Sequence, residues 1–173
     1  PEDGYGGEYV ADLATELGAE GLAPDDTDAL ARRGAELMRE SAERTLRAYG
    51  VEFDRWFSER GLHGEGGLME RALADLRERG DVYESEGAVW LRTTNFGDDK
   101  DRVLVRSDGE PTYFLADIAY HRDKLERCDW TINVLGADHH GYVDRLKAGI
   151  AALGFDPELL QVEIIQLVHV IEG

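Results

Sequence analysis

Two short stretches of the chain carry residue types that could do chemistry. In residues 136–143, GADHHGYV, Gly136 lets the backbone come close to a ligand. Asp138 offers two oxygens that accept hydroxyl hydrogen bonds, and His139 and His140 add ring donors or acceptors. Residues 112–121 read TYFLADIAYH, so that Tyr113 and Asp117 stand four apart and share one face if the run is helical. The first stretch follows an apolar, strand-like run, TINVL at 131–135, and opens a helix-like one. A helix that begins beyond the carboxyl end of a parallel strand offers free N–H groups and a positive dipole end to a ligand.

The elements that must position these residues follow from periodicity and turn chemistry. Residues 25–49 predict a helix, with Asp and Thr available as caps and Gly50 as the stop. Residues 51–57 alternate as a strand would, and 66–79 return to helical spacing before Gly80, so the first 80 or so residues are mostly helical. Residues 61–67 read as a mobile loop. The turn Ser85-Glu-Gly87 splits 82–91, and Ser107-Asp-Gly109 splits 102–115 as a hairpin, so the middle of the chain should be antiparallel. From Trp130 the pattern becomes strand, helix (142–153, closed by Gly154) and strand (161–171), a βαβ unit with parallel strands and a right-handed crossover. Trp56 and Trp90 are expected in the core and Trp130 at its edge. Asp98-Asp-Lys-Asp101 lacks the alternation and terminal Glu of a calcium loop and reads as a charge-paired loop.

Several strings occur together in one order: EDGYGGEYV at 2–10, FDRWFSE at 53–59, WLRTTNFGDDKDRVLVRSDGEPTYFLADIAYHRDK at 90–124, NVLGADHHGYVDRLKA at 133–148 and QLVHVIEG at 166–173. In this order they resemble the second half of the catalytic domain of a class I arginyl-tRNA synthetase. The resemblance implies an α/β fold. Residues 1–88 would be a mostly helical connective insertion with the first returning strand, and 89–173 the second half of a Rossmann-like nucleotide-binding fold, antiparallel hairpins followed by βαβ. It implies an arginine–tRNA ligase with L-arginine, ATP and tRNA(Arg) as partners, ATP arriving with magnesium that no motif in this chain binds. The HIGH-type and KMSKS-type signatures of such enzymes are not found in these residues. The chain is therefore expected to be an internal fragment that supplies no catalytic residue of its own and is inactive alone.

The resemblance also assigns roles. Tyr113, Asp117 and His139 would bind arginine, whose guanidinium offers parallel N–H donors that a carboxylate accepts in bidentate fashion, while the Tyr113 ring faces the cation. Gly136, Asp138 and His140 would meet the ATP ribose. Plainer readings stay open: Tyr113 packing and Asp117 facing water, or Asp138 acting only as a helix cap. The Asp-His-His triplet is also the signature of certain metal-dependent phosphoesterases. Those need further Asp and His ligands, and His63, His121 and His169 fall into no such motif. A non-catalytic interaction module that keeps the synthetase fold is a third alternative.

Composition bounds these readings. Thirty-seven acidic and 19 basic residues give a net charge of -18, whereas polyanions are normally met with Lys and Arg. Contacts to tRNA should therefore lie mostly outside this chain. There is no apolar run long enough to span a membrane and no signal peptide. A single cysteine, Cys128, excludes an internal disulfide framework and fits a reducing cytoplasm.

Overall fold

The computed structural model describes residues 7–169 and 171 and, of His140, the backbone alone. Two compact units meet in sequence at Trp56/Phe57.

The first unit is a pair of helices, α1 (Glu8–Ala19) and α2 (Thr27–Ala48). Asp26 caps α2 by accepting the Ala29 N–H at 2.9 Å, which satisfies one of the free donors of the first turn. Leu17 and Leu37 are buried, and Arg33 bridges to Glu20 at 2.8 Å. The strand expected over 51–57 does not form. That segment has no ladder partner among the described residues, and alternation alone cannot satisfy the backbone of an extended run. Trp56, expected in the core, is 37% exposed; its ring meets Phe53 edge-on at 5.3 Å and lies 5.7 Å from the Arg39 guanidinium.

In the second unit α3 (Leu68–Arg79) precedes a three-stranded antiparallel sheet of β1 (Val82–Ser85), β2 (Ala88–Leu91) and β3 (Arg102–Val105), in that spatial order. The predicted charge-paired loop is present: Arg102 donates to both oxygens of Asp98 at 2.7 Å and also reaches Asp99. The Arg102 guanidinium holds the Asp98 carboxyl well below the usual carboxylate range.

The hairpin predicted across 102–115 is cut short. After the turn only Val105 and Pro111 form a bridge, because Pro111 has no N–H for a ladder and Thr112 already starts α4 (Tyr113–Leu125). Thr112 donates its hydroxyl to the Val103 carbonyl at 2.9 Å, and its backbone N–H donates to the Leu104 carbonyl, also at 2.9 Å. This fixes the first turn of α4 against β3. Beyond it, β4 (Thr131–Gly136), a 3-10 turn (Ala137–Tyr142), α5 (Val143–Ala152) and β5 (Leu160–Ile165) make the predicted parallel pair, in register from Thr131 with Leu160 to Gly136 with Ile165. β5 stops at Ile165 rather than at the expected 171, where its partner strand ends.

The core gathers Leu76 of α3, Leu91 of β2, Leu104 of β3 and Ile118 of α4, all fully buried. On β4, Thr131 and Asn133 are buried while Ile132 and Val134 are exposed, so one face of the strand is covered. α5 meets α4 at Gly149, where a Cβ would lie 2.7 Å from the Ile118 side chain. Ile118 is fully buried and has nowhere to move. Overpacking of this kind typically costs about 1–3 kcal/mol. Gly149→Val should therefore lower stability by about that amount in urea unfolding, whereas Gly18→Ala, where a Cβ meets nothing within 4 Å, should be neutral or stabilising by up to ~1 kcal/mol.

Candidate functional site

α4 and the segment from β4 to α5 carry the residues singled out in the sequence, and the fold ties the two together at Asp117. Asp117 is half-buried on α4. Its Oδ2 accepts a hydrogen bond of 2.5 Å from the Tyr142 hydroxyl at the end of the 3-10 turn. No Arg or Lys among the described residues pairs with it within 4 Å. Burial, and next the Asp117 hydrogen bond, raise the Tyr142 phenol far above its ordinary value, so it stays a proton donor. The Tyr142 ring is wedged edge-on against Phe114 at 6.5 Å, and the Arg145 guanidinium lies 5.1 Å from its centroid.

The backbone of Asp117 is held from the other side. His121, 4% exposed, bonds the Asp117 carbonyl through Nδ1 at 2.7 Å and meets the Asn133 amide of β4 through Nε2 at 2.6 Å. Asn133 Oδ1 in turn accepts from Lys124 Nζ at 2.6 Å. A carbonyl only accepts and an amide nitrogen only donates, so the chain of bonds assigns His121 as the neutral Nδ1–H tautomer. Burial, then the Lys124 charge, lower its pKa and keep it neutral.

Tyr113, one turn before Asp117, is 85% exposed. With Tyr142, Phe114, Arg102, Arg106 and Arg145 it lines a cavity of about 580 Å³. Asp117 stands behind Tyr142 and is not itself part of that lining. Gly136 and Asp138 line a separate cleft of about 600 Å³ beyond the carboxyl ends of β4 and β5, closed on the β5 side by Gln166 and Leu167. A Cβ on Gly136 would sit 2.6 Å from Asp138 Oδ1, so glycine is what lets the carboxylate fold back over the strand end. Asp138 caps neither the 3-10 turn nor α5; its side chain is 82% exposed and lies 3.6 Å from His139 Nε2. The structure thus sets His139 beside Asp138, while the side chain of His140 lies outside the described residues. Among the described residues no group of three His, Cys, Asp or Glu side chains converges where a metal could sit, and no helix is long and apolar enough to cross a membrane.

Sequence reasoning did not single out Tyr142, His121 or Asn133. Tyr142 lies 25 residues from Asp117 and Asn133 lies 12 from His121. No periodicity within one element reports such pairings.

His121 gives a testable pH dependence. Its folded-state pKa is lowered from 6.5, so the unfolded chain takes up the proton first. The stability it contributes is complete above about pH 6.5 and is lost as the pH falls below that, by at most about 1.4 kcal/mol per unit. Denaturant titrations between pH 7 and 5 should show this slope, and His121→Asn, which does not titrate, should flatten it.

Comparison with known proteins places this geometry in a family. The family described as tRNA synthetases class I (R), catalytic domain, matches residues 24–172. An arginine–tRNA ligase of Geobacillus thermodenitrificans is 50% identical over 181 residues, covering 100% of this chain and 32% of that protein. The arginine–tRNA ligase of Bacillus subtilis is 50% identical over 177 residues, covering 98% and 32%. The chain thus spans about a third of the length of the curated relatives it matches. Among solved structures, one described as an arginyl tRNA synthetase from Campylobacter jejuni superposes with a TM-score of 0.87 at 38% identity, over 96% of this chain and 38% of that one. The Thermus thermophilus arginyl-tRNA synthetase shares the fold, with a TM-score of 0.58 at 19% identity over 92% and 40%.

Proposed function

Since the chain belongs to the class I tRNA synthetase (R) catalytic-domain family, we propose that it is the amino-acid- and ribose-reading part of an arginine–tRNA ligase. The reaction has two steps. The arginine carboxylate attacks the α-phosphate of ATP, giving arginyl-adenylate and pyrophosphate, and a ribose hydroxyl of the terminal tRNA adenosine then takes the arginyl group. Both depend chiefly on positioning and on charge stabilisation at phosphate. Magnesium arrives with ATP, and groups outside this chain handle the phosphates.

Residues 89–173 serve as the second half of a Rossmann-like nucleotide-binding fold, and 1–88 as a mostly helical connective insertion with the first returning strand. The exposed Ile132 and Val134 on one face of β4 leave that face for a further layer of such a fold to cover, since parallel sheets are normally covered on both faces. The cleft at the carboxyl ends of β4 and β5 suits the adenosine ribose, whose two hydroxyls match the two oxygens of Asp138 over Gly136. His139 is assigned with Tyr113 and Asp117 to the arginine, and His140 with Gly136 and Asp138 to the ribose. The chain's net charge of -18 leaves most tRNA contacts to other parts of the protein, which works in the cytoplasm.

The observation that carries the reading is Asp117. It is a half-buried carboxylate with one oxygen taken by a phenol and no Arg or Lys partner within ion-pairing distance among the described residues. Such a charge is left for a cation to meet, and Tyr113 supplies an exposed aromatic face one turn away.

The test is Asp117→Asn in the full-length ligase. Removing one partner of a buried, hydrogen-bonded charge pair costs about 2–5 kcal/mol, so kcat/KM for arginine should fall roughly 30-fold to several thousand-fold, with the KM for ATP moving far less. A change within about threefold would show that the guanidinium is read elsewhere.

A further inference from the structure

We infer that Tyr142 is a positioning residue for arginine recognition, acting through Asp117: its hydroxyl fixes the rotation of the Asp117 carboxylate and braces the ribose-side turn against α4. This rests on the assignment of Asp117 to the guanidinium. The end torsion of an aspartate is broad and roughly two-fold, whereas a bidentate guanidinium contact needs both oxygens in one plane. A single donor held rigidly on Oδ2 removes that freedom.

Tyr142 is built for the task. Phe114 meets its ring edge-on, and Arg145 covers it, so the hydroxyl points at Asp117 from a packed ring. A phenol kept protonated adds a donor without adding charge. An Arg or Lys in its place would neutralise the carboxylate that the substrate must pair with. Tyr142 also closes the 3-10 turn that begins at Ala137, while His121 joins α4 to Asn133, three residues before Gly136. Both flanks of the Gly136–Asp138 motif are therefore tied to the helix turn that carries Asp117.

The experiment is a double-mutant cycle in the full-length ligase, with aminoacylation kinetics for arginine and for ATP. Tyr142→Phe removes one oxygen and keeps the ring contacts; its melting temperature is measured alongside. Losing one hydrogen bond to a charged acceptor should raise the KM for arginine about tenfold, with the KM for ATP within about twofold. On an Asp117→Asn background, Tyr142→Phe should add less than about twofold to the loss in arginine kcat/KM, because the two residues act as one unit. Tyr142→Leu, which loses ring and hydroxyl, is the second variant and should show the same split between substrates at a lower melting temperature.

Additive losses, or parallel rises in both KM values, would overturn the inference and leave Asp117 as the arginine reader. An Asp117→Asn enzyme with normal arginine kinetics would instead remove the reading on which the inference stands, and the inference with it.

Discussion

The hydrogen bond from Tyr142 to Asp117 is the interaction on which the rest of the site depends. It joins a helix that starts on the antiparallel sheet to a turn that ends a strand of the parallel pair. The chain between the two partners runs through β4 and the glycine-led motif, so closing this contact sets where that motif can lie. The His121–Asn133 contact closes the same loop from its other end. Neither bond is strong alone, since a protein hydrogen bond contributes on the order of 1 kcal/mol net. Their effect is geometric: together they leave α4 and β4 little freedom to slide.

The surrounding packing makes those bonds possible. Thr112 pins the start of α4 to β3, and the missing Cβ of Gly149 brings α5 against Ile118. Between these two constraints Phe114 lies at the core boundary, where it holds the ring of Tyr142. A hydroxyl on a mobile ring would be a poor guide for a carboxylate. One backed by a buried phenylalanine is not.

Electrostatics separate the residues that are spent from those that are available. Arg102 faces the cavity but is locked by Asp98 and Asp99, so its charge serves the 93–101 loop. Asp117 has no such partner among the described residues, and Asp138 is mostly in solvent with His139 beside it. In a chain this acidic, most carboxylates face water or pair along helices, where ion pairs contribute little. Asp101 is also partly buried without an ion pair, but its two oxygens accept from Tyr83 and Thr94, whereas Asp117 has one oxygen on Tyr142.

Much of this was legible in the sequence. The alternation and spacing of 131–165 already specified strand, helix and strand, because local periodicity reflects which face of each element is covered. The motif order specified the family. Asp138 and Gly136 could be set at a strand end from their position alone. Where local pattern needed a distant partner, sequence was not enough: 51–57 alternates but finds no strand to pair with, and the hairpin after β3 yields to Pro111 and the Thr112 cap. Above all, the bond between Asp117 and Tyr142 spans 25 residues and two elements. Sequence supplied both side chains; only the packing of α4 against α5 and β4 could decide that they meet, because that distance is set by side-chain volumes in the core and not by any local preference of the chain.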